Sequence, residues 1–249
     1  MKIGVIADIH GNYLALAAVL RDIDALRPPP DRVVCLGDAI QGGPQPAEVA
    51  RALRERGWPV VMGNADDWLI TGQASEAEPV SAERQAKLDA VRAWSLAQLA
   101  EADKAYVAGF TPTVEVPLEA GRKLLAFHGS PASFDDLLLP TTSDEGFQRL
   151  LGAHAGHILC GGHTHLQQIR RLGDGFFFNP GSVGLAHSHT QSEEGFRADP
   201  WAEYALLCAQ GGRLALEFRR VPFDAAELRR VYHASGRPFA AEAAGQYAE

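Results

Sequence analysis

The N-terminal part of the chain alternates short apolar runs with amphipathic segments. Residues 2–7 are rich in Ile and Val with little alternation, the pattern of a strand buried on both faces. Asn12 offers an N-cap for a helix running to about Leu26, with Leu14, Ala17, Ala18 and Ile23 on one face. Pro28, Pro29 and Pro30 end that segment. Residues 32–36 read as a second buried strand, 46–56 as a helix with proline in its first turn, and 58–62 as a third strand. This alternation predicts a parallel sheet covered by helices. Residues 72–79 are small and polar, as in a loop. Ser81 caps a long helix reaching about Ala100, in which Leu88, Val91, Trp94 (or Ser95) and Leu99 recur as a core stripe. Glu83 and Lys87 stand four apart on it, as an ion pair would.

The second half changes character. Residues 113–118, 123–127, 157–160, 167–172, 176–178, 204–208 and 214–221 are short strand candidates, so a second, mostly antiparallel sheet is expected. Helices are expected at 144–151 and 224–232. The Ala/Gly/Glu-rich tail, 234–249, is expected to be loosely ordered. No repeat or long linker divides the chain, which reads as one domain over residues 1–249.

Composition narrows the function. Hydrophobic residues make up 46%, enough for a substantial core, and the net charge of -8 argues against non-specific nucleic-acid binding. Cys35, Cys160 and Cys208 are too scattered for a disulfide framework and read as small buried hydrophobes, in keeping with a reducing cytoplasm. The opening MKIGVIADIH lacks signal-peptide form, and no apolar stretch reaches the ~20 residues of a membrane span. A cytoplasmic protein without membrane contact is expected; the oligomeric state is not legible.

Five short blocks carry the chemistry: Asp8-Ile9-His10, Gly37-Asp38, Gly63-Asn64, His128-Gly129 and Gly162-His163-Thr164-His165. Each follows an apolar run. Successive parallel strands deliver their C-terminal ends to one sheet edge, where ligands of α/β proteins bind. Aspartate, asparagine and histidine together suit Mn, Fe, Zn, Co or Ni. Two such ions about 3.5–4 Å apart activate water and clamp a transferring phosphoryl group. Central Asp38 is the best placed to bridge them.

As a set, these blocks resemble the motifs of the calcineurin-like metallophosphoesterases: D-x-H, G-D, G-N-H-[DE], H and G-H-x-H. The likeness spans nearly the whole chain and is closest to the small single-domain bacterial and archaeal phosphoesterases. Further matches are Asp8-Ile9-His10-Gly11-Asn12, His128-Gly129-Ser130-Pro131 and Asn179-Pro180-Gly181-Ser182-Val183-Gly184. The resemblance implies a four-layered αββα sandwich with two mixed β-sheets flanked by helices. It implies that Asp8, His10 and His165 hold one divalent ion, manganese foremost, that Asn64, His128 and His163 hold a second, and that Asp38 bridges. It further implies that a hydroxide shared by the ions attacks phosphorus in line, that Asp38, Asn64 and His128 carry the catalytic centre, and that Asn64 and Asn12 meet the substrate.

One position departs from the family. Gly63-Asn64-Ala65-Asp66 has alanine where relatives carry the histidine that contacts phosphate and protonates the leaving group. His187 and His189, in a polar segment running to Asp199, are the candidate substitutes; solvated loop histidines are the alternative. His154 and His157 read as surface or strand-edge residues. Asp66 and Asp67 either orient a ligand loop or cap the segment that follows, and Asp135 and Asp136 read as loop or helix-start carboxylates. The function implied is hydrolysis of a small phosphate ester, a phosphodiester or nucleotide-type substrate. Dinucleoside polyphosphate hydrolysis, protein dephosphorylation and a non-catalytic scaffold of the same fold are the alternatives.

Overall fold

A computed structural model of the chain describes residues 1–73, 81–191 and 195–247. Strand β1 (Lys2–Ile6) leads through α1 (Tyr13–Ala25) to β2 (Arg32–Cys35) and α2 (Pro46–Arg56). Three helices follow: α3 (Asn64–Thr71), α4 (Ala82–Gln98) and α5 (Glu101–Ala108). Then come β3 (Val114–Pro117), β4 (Lys123–Ala126), α6 (Asp144–Leu151), β5 (Ile158–Cys160), β6 (Gln168–Leu172) and β7 (Gly175–Asn179). The long hairpin β8 (Trp201–Gln210) and β9 (Arg213–Pro222) precedes α7 (Ala225–Ala234) and α8 (Ala240–Gly245).

Two mixed sheets form, β2-β1-β8-β9 and β3-β4-β5-β7-β6. In the first, β1 pairs parallel with β2 and antiparallel with β8. In the second, β4-β5 and β5-β7 are parallel while β3 and β6 join antiparallel. The period-two geometry of strands sorts the side chains into layers. Ile3, Val5 and Ala7 of the β1 region meet Leu124 and Ala126 of β4 and Ile158 and Cys160 of β5 in a core between the sheets. Ile6 points the other way, to Leu16, Val19 and Ile23 of α1. Leu125, Phe127 and Leu159 face outward onto Phe147 and Leu151 of α6. Helices, sheet, sheet and helix are thus four layers, as the αββα expectation requires.

Several expectations need correction. Residues 204–221 were expected in the second sheet, but β8 and β9 complete the first, because β1 needs a partner on its other edge. The second sheet is accordingly not mostly antiparallel. Residues 58–62 make only single bridges, Cys35 to Val60 and Val61 to Thr111. Helices α3 and α5 were not anticipated; α4 stops at Gln98, where Leu99 turns extended. Lys87 pairs with Glu242 at 3.5 Å rather than with Glu83. The stripe of α4 buries Val91 and Ser95 with Leu99 beyond it, while Leu88 is left 37% exposed. Cys35 and Cys160 are buried as expected, whereas Cys208 is only partly so. The expected loop at 72–79 lies mostly outside the described residues. Among those described, no helix is long and apolar enough to cross a membrane.

The described part of the tail, through Tyr247, is packed rather than loose. Ala243, Ala244 and Tyr247 pack with Leu228 and Tyr232 of α7 in a separate apolar cluster. The Tyr247 hydroxyl donates to Gly184 O at 2.6 Å, beside the loop that follows β7. Tyr247→Ala should therefore cost ~3–5 kcal/mol, the range for emptying a buried aromatic site. Urea denaturation measures it, and a loss under ~1 kcal/mol would mean that the tail does not share the core's stability.

Candidate metal centre

Backbone geometry builds the centre before side chains enter. Beyond β1 and β2 the parallel ladder continues into the loops: Asp8 N donates to Gly37 O, His10 N to Asp38 O and Gly11 N to Ala39 O, at 2.8–3.0 Å. The loops carrying Asp8, His10 and Asp38 are thereby stitched side by side. Asp8 (φ 53°), His10 (48°), Asp38 (48°), His163 (68°) and His165 (54°) all adopt the left-handed conformation. It costs roughly 1–2 kcal/mol for a residue with a Cβ, and Asp, Asn and His tolerate it best. Such local strain concentrates at functional sites. Gly63 has no alternative: a Cβ there would lie 2.2 Å from Asp38 Oδ1.

The ligand atoms fall into two groups, Asp8, His10 and His165, and Asp38, His128 and His163, each within 4.8 Å of one another. Asn64 joins the second, its Oδ1 at 2.9 Å from His128 Nε2. The two oxygens of Asp38 face different groups, Oδ2 at 3.7 Å from His10 Nε2 and Oδ1 at 3.5 Å from His128 Nε2. All seven sequence-predicted ligands are thus brought together, in the expected grouping.

The histidine hydrogen bonds fix the proton positions. Nδ1 of His10 donates to Gln41 O at 3.0 Å, that of His128 to Leu36 O at 2.8 Å and that of His165 to Leu185 O at 3.0 Å. A carbonyl only accepts, so each Nδ1 carries a proton, and in a neutral ring Nε2 then presents a lone pair. Nε2 of His10 and Nε2 of His165 then face each other at 3.0 Å as two acceptors. His128 Nε2 stands 2.9 Å from Asn64 Oδ1; burial by itself would lower His128, but Asp38 raises it to about 9, so this nitrogen carries a proton that the amide oxygen accepts until a metal displaces it. Asp8 Oδ1 receives His163 N at 3.1 Å, while its Oδ2 is buried with no partner. Facing lone pairs and an orphaned carboxylate oxygen suit divalent cations and little else.

Electrostatics agree. Burial first, then His128, pushes His163 down to about 4. Burial, with His10 and His187, holds His165 well below its ordinary value. Both are neutral imidazoles, the form that ligates metal. Burial by itself would raise Asp38, but His128, His10 and His163 outweigh it and hold the carboxyl below the usual carboxylate range.

Other predicted residues resolve differently. Asn12 does not meet substrate: it is 1% exposed, its Oδ1 caps Ala15 N and its Nδ2 donates to Gly184 O, both at 3.0 Å. Asp66 does not cap its own helix; it reaches back to accept from Ala39 N and Ile40 N, both at 2.9 Å, fixing the loop of Asp38. Burial, then Asp38, pushes its carboxyl up to about 7. Asp67 makes no such contact. Asp136 accepts from Ser130 Oγ at 2.6 Å within the loop after His128. Ala65 N donates to Asp38 Oδ1 at 2.8 Å. His187 packs edge-on against His165, ring centroids 5.6 Å apart, and His189 stacks on His187 at 4.6 Å. His154 and His157 lie elsewhere, around the turn before β5.

A family model of the calcineurin-like phosphoesterase superfamily domain matches residues 1–196. The chain belongs to this superfamily. A curated relative, an uncharacterised protein of Methanocaldococcus jannaschii, is 26% identical over 202 residues, covering 73% of this chain and 76% of its own. The structure of a metallophosphoesterase from Sphaerobacter thermophilus superposes with a TM-score of 0.69 at 22% identity, over 98% of this chain and 97% of that one. A hypothetical protein from Pyrococcus horikoshii gives a TM-score of 0.77 at 19% identity, covering 95% and 94%. Both structures support the calcineurin-like fold. Membership of a metal-dependent family agrees with the two ligand groups.

Sequence reasoning missed the supports. The carbonyls of Leu36, Gln41 and Leu185 leave no residue-type signal. Asn179 does: it stands in the Asn-Pro-Gly-Ser block, is fully buried, and donates to Gly162 O at 2.7 Å and Thr164 Oγ1 at 3.1 Å. Asp66→Ala removes two bonds from the loop of Asp38. Affinity for a divalent ion, measured by calorimetry, should fall ~10–100-fold with circular dichroism unchanged. Unaltered affinity would show that the loop keeps its shape without Asp66.

Proposed function

We propose that this chain hydrolyses small phosphate esters, phosphodiesters or nucleotide-type substrates, with two divalent cations, manganese foremost, held by the seven residues above. The observation that carries this reading is the convergence of two ligand groups on Asp38, with Nε2 of His10 and of His165 facing each other at 3.0 Å in one of them. Cations bound there supply water activation and neutralise charge on the phosphoryl oxygens. The chain's own residues do the rest. Asp38 turns one oxygen to each ligand group and ties them into one unit. Asp66 and the carbonyls of Leu36, Gln41 and Leu185 hold the ligands in place, so little reorganisation is needed at reaction.

Ala65 sets the limit on this chemistry. Its methyl group neither contacts phosphate through a proton nor gives one up. General acid catalysis is worth ~10²–10⁴-fold, and the loss falls hardest on poor leaving groups. The chain therefore favours esters of acidic alcohols, or draws the proton from His187 or His189 beside His165.

Manganese-loaded protein should turn over an aryl phosphodiester faster than an aryl phosphomonoester, and Asp38→Asn should abolish turnover while lowering bound metal. Asparagine tolerates the left-handed backbone, so the fold survives. Stoichiometric metal with no turnover of either ester would favour a metal-binding scaffold instead.

Ala65→His should raise kcat for an alkyl ester by about tenfold or more and change an aryl ester little. Equal effects on both esters would refute the missing-acid account.

A further inference from the structure

Between α4 and the C-terminal segment lies an open groove of about 560 Å³, within the size range of small-molecule sites. Arg84, Lys87 and Arg237 line it, against the carboxylates of Glu83 and Glu242. Lys87 is already spent on Glu242 at 3.5 Å. Arg84 and Arg237 form no ion pair among the described residues. In a chain of net charge -8, this is a local reversal of sign.

Arg237 is built in rather than adrift. Its Nε donates to Gly42 O at 2.6 Å and its Nη1 to Pro238 O at 2.8 Å. Nη2 donates to nothing among the described residues. Burial lowers its pKa against the opposing pull of Tyr232 and Glu242, the mark of a cation kept largely out of water. Such a group has donors to spare for an anion's oxygens.

The apolar part of the groove is as unusual. Phe239 is 43% exposed and Leu88 37%, and both line it. Phe239 also sits at φ 58°, a conformation that disfavours any residue with a Cβ. Lys87 Nζ stands 5.5 Å from the centre of this ring, so the chain itself meets part of it and leaves the rest open to a ligand.

Arg237 links the groove to the metal centre. Gly42, held by Arg237, lies against His10: a Cβ on Gly42 would be 3.6 Å from His10 Nδ1. The adjacent Gln41 O is the acceptor that orients that ring.

We propose that the groove is a second binding site, for an aromatic molecule bearing phosphate, of which a nucleotide is the simplest. The ring packs on Phe239 and Leu88, and the phosphate oxygens accept from Arg237 and Arg84. Two sources share this chemistry: the far half of an extended ester whose phosphorus lies at the metal centre, or a free nucleotide acting on His10 through Arg237 and Gly42.

Calorimetry of ADP binding in excess chelator tests the site without metal and without turnover. The chain should bind ADP with Kd below about 1 mM, and Arg84→Ala and Phe239→Asn should each weaken it about tenfold. Asparagine accepts the left-handed backbone, so only the ring is lost. Ribose 5-phosphate should bind Phe239→Asn and the unaltered chain alike. No binding in chelator, or equal ADP affinity in all three proteins, would overturn the proposal. With manganese, a raised KM in Phe239→Asn for a nucleotide-bearing ester alone identifies the far half of the substrate. A changed kcat for a plain aryl diester on adding ADP identifies an effector. Failure of the hydrolase reading would appear as no turnover of any ester, with the chelator result standing.

Discussion

Two imidazole nitrogens, Nε2 of His10 and Nε2 of His165, face each other across one hydrogen-bond length while backbone carbonyls claim both Nδ1 protons. His128 is turned the same way by Leu36 O; burial would lower it, but Asp38 raises it to about 9, so its Nε2 shares a proton with Asn64 Oδ1. The lone pairs of His10 and His165 repel unless a cation stands between or beside them. The arrangement is held by the carbonyls of Gln41, after β2, and Leu185, after β7, and turning either ring would break that bond. Metal affinity is thus stored in the fold as an electrostatic debt that only a positive ion settles.

The sheets exist, in this sense, to bring six loops to one edge. β1, β2 and the Val60–Val61 bridge carry Asp8, His10, Asp38 and Asn64. β4 and β5 carry His128, His163 and His165 from the other sheet. The loop after β7 braces both, Ser182 Oγ donating to Asp8 O at 2.7 Å and Asn179 gripping Gly162. Five left-handed residues are sustained there by backbone bonds around them, among them Asp8 N to Gly37 O, His10 N to Asp38 O and Gly162 N to His128 O.

Much of this was legible in the sequence, for a physical reason. Each ligand block follows a buried apolar run, four of them strands and the other, residues 58–62, joined only by single bridges, and such runs are visible in sequence. The order of blocks therefore mapped onto the order of strand ends. What resisted reading was non-local. Nothing in residues 201–222 says that the hairpin pairs with β1, since its alternation fits either sheet. Asp66 looks like any first-turn carboxylate, and its turn toward Ala39 and Ile40 depends on where α3 is laid down. Asn12 shows the reverse error: a residue inside a ligand motif that spends both polar ends on packing. The tail misled because alanine and glycine carry no strong pattern, although Tyr247 at its end is an anchor.

The pairing of β1 with β8 has a topological consequence. The family match ends at residue 196, yet the strand that closes the other edge of β1 begins at Trp201. A fragment cut at the end of the matched region would keep all seven ligands and lose the partner of the strand that carries the first of them. Its apolar β1 edge would then be open to any passing strand, including another copy of itself. During synthesis the same gap lasts until the hairpin has emerged. The metal centre is therefore a late-closing structure: its residues are nearly all made before the sheet beneath them is sealed.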